Sequence, residues 1–279
     1  MTDYSDILIM TDLDKTFFGD GAVLVQRNLD AIERFKQKGG FFTIATGRVR
    51  TNINKAIPGL ASLINAPMEC CNGAVLYDVQ NSLTVAENPL SAEAGLRVIR
   101  FLQSRFDDVY LRVSVREGLL FPPEALNHSE QLRRDVGSAD SGSYFVKDYA
   151  EWGSYTWYKI VFRGECAHLD AMRDALEAQH FDGINVMKSG PTFLEIQGSG
   201  VDKAAMIPVL SDYCGKKSGK KMKVYACGDY ENDIAMMRAA DYGVCPANAL
   251  DSVKAVADYC FCDNNRGLIA DLIEMLEAQ

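Results

Sequence analysis

The sequence predicts an α/β protein in which a parallel sheet with helices on both faces is interrupted by a smaller α/β module. The first and last thirds of the 279 residues alternate short apolar strands with amphipathic helices, whereas the middle contains longer strands and a hairpin. Strands that alternate with helices indicate a parallel sheet, because each helix returns the chain to the same end of the sheet. We therefore predict a core formed by residues 1–85 and 196–279 and an inserted domain over residues 86–195.

Apolar runs, helical spacing and turn residues predict the elements of the first third. In chain order they are a strand over 7–10, a helix ending at Gly39-Gly40, a strand over 41–46, a helix over 49–57, and two strands around the turn Asn72-Gly73. The same signals in the middle predict a helix over 92–105, a strand over 109–115, a polar stretch over 138–143, a strand over 155–164, a helix over 168–179, and a hairpin of 184–188 with 192–197.

The last third repeats the alternation of the first. Its predicted elements are strands over 222–229, 242–246 and 259–262, and helices over 231–240, 250–257 and 268–276. Lys203 is predicted early in a further helix, and the basic stretch over 215–223 is predicted to be a solvated loop. In parallel sheets ligands bind beyond the carboxyl ends of the strands. Asp12, Thr46 and Asp229 each follow such a strand, so we expect them to converge.

Charge and composition exclude several classes of function. A net charge of −9 and a pI near 4.9 argue against non-specific binding to nucleic acid or to an anionic membrane. The eight cysteines have no framework spacing, and three histidines provide no zinc constellation. The start of the sequence lacks the features of a signal peptide, and no segment is apolar for the length of a membrane span. We expect a soluble, cytoplasmic monomer or small homo-oligomer.

The segment DLDKT places two carboxylates, Asp12 and Asp14, at the end of an apolar strand. Like charges this close need a compensating cation. Two such carboxylates can share a divalent metal ion through oxygen ligands, and one of them can attack phosphorus while the other transfers protons. The alternative interpretation is a helix N-cap or an Asx turn, which uses the same residue types.

Three further motifs complete the pattern. ATGR (45–48) offers a threonine hydroxyl and backbone N–H groups for a phosphate, although Thr-Gly also commonly ends a strand. Lys203 in GVDKAAM can neutralise a phosphoryl group, or it can be an ordinary surface lysine. GDYENDIAMM contains Asp229, Asn232 and Asp233 around a helix start, where acidic residues are also typical capping residues.

Taken together and in this order, the four motifs resemble those of the haloacid dehalogenase superfamily of phosphohydrolases. More narrowly, the chain is similar to the Cof-type branch, and the similarity covers essentially the whole chain, including CNGAVLYD (71–78) ahead of the inserted module. The resemblance implies a Rossmann-like core with an inserted α/β cap. It also implies a Mg²⁺ cofactor and a small phosphorylated metabolite, a sugar phosphate above all, as the substrate.

The resemblance also implies a role for each motif residue. Asp12 would be the nucleophile that forms an aspartyl-phosphate, and Asp14 would protonate the leaving alcohol and then deprotonate water. Thr16 would support the loop.

Around these, Thr46 and the amide of Gly47 would hold the phosphoryl oxygens, and Lys203 would offset their charge and that of Asp12. The metal ligands implied are Asp12, the carbonyl of Asp14, Asp229, Asp233 and Asn232. Arg48 and Asn72 are the expected substrate contacts, with a structural ion pair as the alternative for Arg48.

Lys15 departs from the family pattern, in which the position between Asp14 and Thr16 is usually glycine. Because lysine tolerates a positive φ less well than glycine, this residue predicts a different local turn. Its ammonium could also favour a second negative charge on the substrate.

Two other functions fit the same motifs. A phosphomutase would return the phosphoryl group to a hexose phosphate while keeping water away from the intermediate. A non-catalytic phosphate-binding or regulatory domain would resemble the receivers of response regulators, although such a phospho-acceptor has no need of Asp14.

Overall fold

The computed structural model describes residues 3–137 and 144–278, without the side chain of Asn54. The predicted polar stretch over 138–143 lies outside these residues. The described chain divides into two compact units. The first unit contains the residues up to Thr46, Gly59–Ala86 and the residues from Asp202 onward, and the second contains Gly47–Pro58 and Glu87–Val201.

Strands and helices alternate through the described residues as predicted for an α/β protein. The strands are β1 Ile7–Thr11, β2 Phe18–Gly19, β3 Val23–Leu24, β4 Phe41–Ile44, β5 Met68–Cys70, β6 Val75–Asp78, β7 Leu83–Glu87, β8 Leu111–Val115, β9 Gly118–Phe121, β10 Tyr144–Val146, β11 Trp157–Arg163, β12 Ile184–Gly190, β13 Phe193–Gly198, β14 Lys223–Cys227, β15 Tyr242–Pro246 and β16 Tyr259–Phe261. The helices are α1 Gln26–Gln37, α2 Arg50–Ala56, α3 Leu60–Leu63, α4 Ala92–Gln103, α5 Ser129–Gly137, α6 Cys166–Gln179, α7 Ile207–Ser218, α8 Ile234–Ala239, α9 Asp251–Lys254 and α10 Leu268–Glu277.

The first unit is built on a parallel sheet with strand order β16-β15-β14-β1-β4. Strand β1 is an inner strand between β14 and β4 and is buried at every residue, which explains why its residues are apolar up to Thr11. On one face Leu8 and Met10 pack with Ile207 and Leu210 of α7, and α1 and α10 pack against each other in the same unit. A parallel bridge between Ala45 and Glu69 connects this sheet to the small sheet β5-β6-β7. The predicted parallel-sheet core is confirmed.

The second unit contains a mixed sheet with strand order β10-β9-β8-β11-β13-β12. Its strands pair antiparallel except for β9 with β10, and one face packs on α4 and α6 through an apolar core. The opposite face contains buried polar side chains, and among them the ammonium of Lys159 lies 2.8 Å from Glu195 Oε2. This unit is the predicted second α/β module.

The two units differ from the predicted division at residue 86, which groups with the first unit, and at residues 47–58 and 196–201, which group with the second. Residues 196–198 complete β13, whose hydrogen bonds to β11 and β12 keep them in the second sheet rather than in the core. Residues 47–58, predicted as part of the core, group with the second unit, where the ammonium of Lys55 donates to the carbonyl of Gly137 at 2.6 Å. The hairpin predicted for 184–188 with 192–197 already paired residues 196 and 197 with β12, whereas the contact between Lys55 and Gly137 joins residues far apart along the chain and has no single-sequence pattern.

Two local predictions around α7 are wrong. Lys203 lies in a turn ahead of the helix, because the Asp202 side chain accepts the Ala204 N–H at 2.8 Å and Pro208 marks the first turn of α7. The basic stretch over 215–223 is helical as far as Ser218, since α7 ends only at Gly219 in a left-handed conformation.

Among the described residues, none of the helices has the length and apolar character needed to cross a membrane.

Candidate active site

Three strand ends of the parallel sheet bring the predicted catalytic residues to one edge. In the register of the sheet, Thr11 at the end of β1 aligns with Cys227 of β14 and with Ile44 of β4. The N–H of Asp12 continues this pairing by donating to the carbonyl of Cys227 at 2.9 Å. Asp12 and Asp229 therefore leave neighbouring strands at the same level, as the sequence predicted.

Thr46 is held at the same edge by the small sheet. Its N–H donates to the carbonyl of Glu69 at 3.0 Å, and its own carbonyl accepts the N–H of Asn72 at 3.0 Å. Both Thr46 and Asn72 are buried. The residue expected to hold phosphoryl oxygens is thus fixed by its backbone on both sides.

The DLDKT segment forms a tight turn, Leu13–Phe17, immediately after Asp12. Asp14 and Lys15 are exposed on this turn, whereas Thr16 is buried. Lys15 has a φ of 65°, so it adopts the left-handed conformation that glycine takes most readily, and its carbonyl accepts a hydrogen bond from Asn248 Nδ2 at 2.9 Å. Lysine was expected to avoid a positive φ and so to change the turn. Lys15 adopts the positive φ instead.

Lys203 links two of the buried carboxylates. Its side chain is 0% exposed, and its ammonium lies 2.5 Å from Asp12 Oδ1 and 2.6 Å from Asp233 Oδ1. Burial by itself would lower the pKa of Lys203, but the charges and hydrogen bonds of the two carboxylates outweigh it and raise that pKa. Lys203 therefore remains a cation inside the protein. The alternative of a surface lysine is wrong.

Asp12 is unfavourably placed when it is charged. Burial raises its pKa well above the ordinary value, the Lys203 ammonium opposes this shift, and the charges of Asp233, Asp229 and Asp14 add to it. One lysine thus compensates only part of the negative charge around Asp12. The negative charge that remains would favour the binding of a further cation.

Asp229 and Asp233 are oriented by short-range hydrogen bonds. Thr16 Oγ1 donates to Asp229 Oδ1 at 2.7 Å, and the N–H groups of Asp229 and Tyr230 donate to Asp233 Oδ2 at 3.0 and 3.1 Å. Burial raises the pKa of Asp229 to about 6, although the Thr16 hydrogen bond acts in the opposite direction. Gly228 allows this packing, since a Cβ there would lie 2.3 Å from the Cβ of Asp233.

Asp12, Asp229 and Asp233 form a group of metal-ligand type. All three are buried, and each offers a carboxylate oxygen within 4.8 Å of the other two. Hard divalent cations prefer such oxygen donors, so the donor set fits an ion of this kind. The side-chain carboxylate of Asp14 is not in this group, which comprises carboxylates of the described residues. Asn232 donates from Nδ2 to Asn72 Oδ1 at 3.4 Å, and its role as a metal ligand, like that of the Asp14 carbonyl, stays a prediction.

The turn around Asn72 fits closely against the Lys203 segment. Cys71, Asn72 and Gly73 all have positive φ values, of 54°, 51° and 90°. A Cβ at Gly73 would lie 1.8 Å from the carbonyl oxygen of Asp202, so glycine is required here both for its φ and for this approach. The segment that carries Lys203 is therefore positioned by the predicted turn.

Gly47 and Arg48 are the predicted site residues that belong to the second unit. Arg48 is half-buried. Their roles, and that of Asn72 as a substrate contact, stay predictions. Sequence reasoning missed Glu69, a fully buried carboxyl near Lys203. The available signal was an acidic residue inside a strand that directly precedes the CNG turn.

With this geometry in place, comparison with known proteins identifies the family. A family model described as haloacid dehalogenase-like hydrolase matches residues 9–273. The chain belongs to the haloacid dehalogenase-like hydrolases, which confirms the predicted family.

Similar proteins match over nearly their full lengths. A 5-amino-6-(5-phospho-D-ribitylamino)uracil phosphatase of Bacillus subtilis is 24% identical over 96% of this chain and 97% of its own. A pyridoxal phosphate phosphatase of Escherichia coli is 25% identical over 95% and 97% of the two chains. The crystal structure of a haloacid dehalogenase-like hydrolase from Bacteroides thetaiotaomicron covers 98% of this chain and 100% of its own, with a TM-score of 0.78 and 22% identity. These matches support the same fold throughout the chain.

Proposed function

We propose that this protein is a Mg²⁺-dependent phosphohydrolase that removes phosphate from a small phosphorylated metabolite through an aspartyl-phosphate on Asp12. The observation that carries this proposal is the position of Asp12. It lies at the carboxyl edge of a parallel sheet, paired with Lys203 at 2.5 Å and within 4.8 Å of two further buried carboxylates. A nucleophile, a cation and a set of hard oxygen ligands are thus present together.

The first half of the reaction forms a bond and breaks another at phosphorus. A carboxylate oxygen of Asp12 attacks the phosphorus while the bond from phosphorus to the leaving oxygen breaks. Asp14 gives its proton to that oxygen, which departs as an alcohol. The exposure of Asp14 on the turn supports this role, because the acid must reach both the leaving group and water.

The second half regenerates the enzyme. Asp14, now a carboxylate, takes a proton from a water molecule as that water attacks the aspartyl-phosphate. The bond between phosphorus and Asp12 breaks, and inorganic phosphate leaves. Throughout both halves, Lys203 offsets the negative charge of the phosphoryl group, while Thr46 and the amide of Gly47 hold its oxygens.

The carboxylates of Asp12, Asp229 and Asp233 would hold the magnesium ion, with the carbonyl of Asp14 and the side chain of Asn232 as further ligands. The bound cation supplies positive charge that lets the phosphate approach a nucleophile of the same sign. The all-oxygen donor set supports a hard ion such as Mg²⁺ over zinc, which favours nitrogen and sulfur ligands.

We propose a sugar phosphate as the substrate class, with Arg48 and Asn72 in contact with the part beyond the phosphate. The names of the two similar phosphatases support a small metabolite, since one refers to a phospho-ribityl compound and the other to pyridoxal phosphate. We further propose a cytoplasmic monomer or small homo-oligomer. The cysteines after residue 100 are free thiols, which supports a reducing compartment; they are Cys166, Cys214, Cys227, Cys245, Cys260 and Cys262.

The test is phosphate release from a panel of sugar phosphates, nucleotides and cofactor phosphates, with Mg²⁺ and with chelator. Asp12→Asn should abolish release, whereas Asp182→Asn, at an exposed aspartate of the second unit, should leave it unchanged. Isomerisation of a hexose 1-phosphate without release would replace the hydrolase by a phosphomutase. Silence across the panel, from folded protein that binds Mg²⁺, would replace it by a phosphate-binding domain.

A further inference from the structure

Glu69 is a buried carboxyl next to the proposed site that the proposed chemistry does not use. Its side chain is 0% exposed, and neither carboxyl oxygen has a hydrogen-bond partner among the described residues. The N–H of Gly73 favours its charged form, but its geometry falls short of a hydrogen bond. Burying a charged carboxylate without hydrogen-bond partners costs free energy, so Glu69 is a neutral carboxylic acid here.

The charged groups around Glu69 explain why it has no ionic partner. The charge of Lys203 favours the ionised form of Glu69, whereas the charges of Asp202 and Asp233 oppose it. Its cross-strand neighbours, Ala45 and Leu76, cannot titrate. Burial is the main cause of a pKa well above the usual value for this carboxyl.

Lys203 cannot form an ion pair with Glu69 without losing one of its present ion pairs. Its ammonium already lies 2.5 Å from Asp12 and 2.6 Å from Asp233. Ionised Glu69 would be a third anion competing for the same cation. The backbone of Glu69 also holds Thr46, so any shift of its side chain is transmitted to two elements of the proposed site.

We propose that Glu69 is a positioning residue that acts through Lys203. As a neutral acid it leaves the ammonium with Asp12 and Asp233, and when hydroxide removes its proton it draws the ammonium toward itself and lowers turnover. This inference rests on the proposed function. Ionisation of Glu69 would limit turnover at high pH, whereas an apolar residue of the same size would impose no such limit.

The test compares kcat/KM over neutral and alkaline pH for wild type, Glu69→Gln and Glu69→Met, using the best substrate of the panel. Glutamine keeps the shape of the neutral acid and methionine fills the space without a polar group, so one variant serves if the other fails to fold. Wild-type kcat/KM should fall by about tenfold per pH unit above the pKa of Glu69. In both variants this decline should be absent or moved to higher pH.

A control and an independent readout complete the design. Glu117→Gln, at an exposed turn, should keep the wild-type profile. Infrared spectra of the substrate-free protein in chelator should show the carbonyl band of a protonated carboxyl at neutral pH, and the difference between the wild-type and Glu69→Gln spectra should contain such a band.

Equal pH profiles from active wild type and variants, or no such band, overturn this inference alone. A uniform loss of activity in Glu69→Gln at every pH also overturns it, because the anion would then be the working form. Failure of wild type to release phosphate from any compound overturns the proposed function together with this inference.

Discussion

Asp12→Asn removes a buried negative charge from the metal-free site while keeping the shape of the side chain. Asp12 is only 8% exposed, and the carboxylates of Asp229 and Asp233 lie within 4.8 Å of it. We expect the substitution to abolish turnover and to stabilise the metal-free protein. This combination is typical of functional residues that are retained at a cost in stability.

The magnitude follows from the distances. At an effective dielectric constant of about 20, two unit charges no more than 4.8 Å apart repel by at least about 3.5 kcal/mol, and Asp12 has two such neighbours. On the same scale its attraction to the Lys203 ammonium at 2.5 Å is about 6.6 kcal/mol. The two repulsions together are at least as large as this attraction, and the cost of burying the charge of Asp12 adds to them. We expect Asp12→Asn to raise the free energy of unfolding by about 1–3 kcal/mol.

Urea unfolding followed by circular dichroism measures this difference, once in chelator and once in excess Mg²⁺. Bound cation should stabilise wild type by about 2.7 kcal/mol at a concentration of about a hundred times its Kd, and should stabilise Asp12→Asn less, because one ligand is weakened. The gap between the proteins should therefore narrow or reverse in Mg²⁺. A variant less stable than wild type in chelator would refute the electrostatic reasoning. Asp182→Asn is the control for loss of a surface charge.

Three further outcomes follow from the same geometry. Lys203→Met leaves two buried carboxylates without their cation and should lower the free energy of unfolding by about 3–5 kcal/mol in urea titrations; no loss would contradict the buried ion pairs. Mg²⁺ affinity measured by calorimetry should fall by about tenfold per unit as pH drops below about 6, since the cation must displace the proton that the raised pKa of Asp229 retains; equal affinities at about pH 5 and about pH 8 would count against this. Gly73→Ala places a Cβ 1.8 Å from the carbonyl oxygen of Asp202. It should lower the free energy of unfolding by about 1–3 kcal/mol more than Gly59→Ala, since Gly59 has a similar positive φ but no atom near its Cβ position. Equal unfolding free energies of the two variants would show that the backbone of the turn can move to accept the Cβ.

The raised pKa of Asp229 also makes the stability of the metal-free protein depend on pH. Because the folded-state pKa of Asp229 is raised to about 6, the fold binds this proton more tightly than the unfolded chain does. The resulting stabilisation is complete below the ordinary aspartate range and is lost as pH rises through about 6. A bound divalent cation removes this loss, because it replaces the proton.

The arrangement of strands and helices in the core could be predicted because it depends on short-range patterns. Strand β1 is apolar at nearly every position since it is an inner strand of a parallel sheet, and α1 ends just ahead of the glycine pair that predicted its end. The convergence of Asp12 and Asp229 follows from the same reasoning, because parallel strands present their carboxyl ends at one edge.

The location of Lys203 shows where this reasoning ends. A lysine ahead of a helix looks like a surface residue, yet this one is fully buried between carboxylates that are 191 and 30 positions away in the sequence. The turn that holds it is shaped by Asp202 and by the approach of Gly73, and neither contact has a periodic signal.

Residue types, their order and the strand-end rule were sufficient to predict the α/β fold, the family and the acidic residues at one edge of the sheet. The tertiary structure alone decided which charges are buried, which carboxylates share the one lysine, and that Glu69 has no partner among the described residues. The physical reason is that burial and electrostatic coupling depend on distances between segments far apart in the chain. Strand and helix patterns depend instead on residues that are close in sequence.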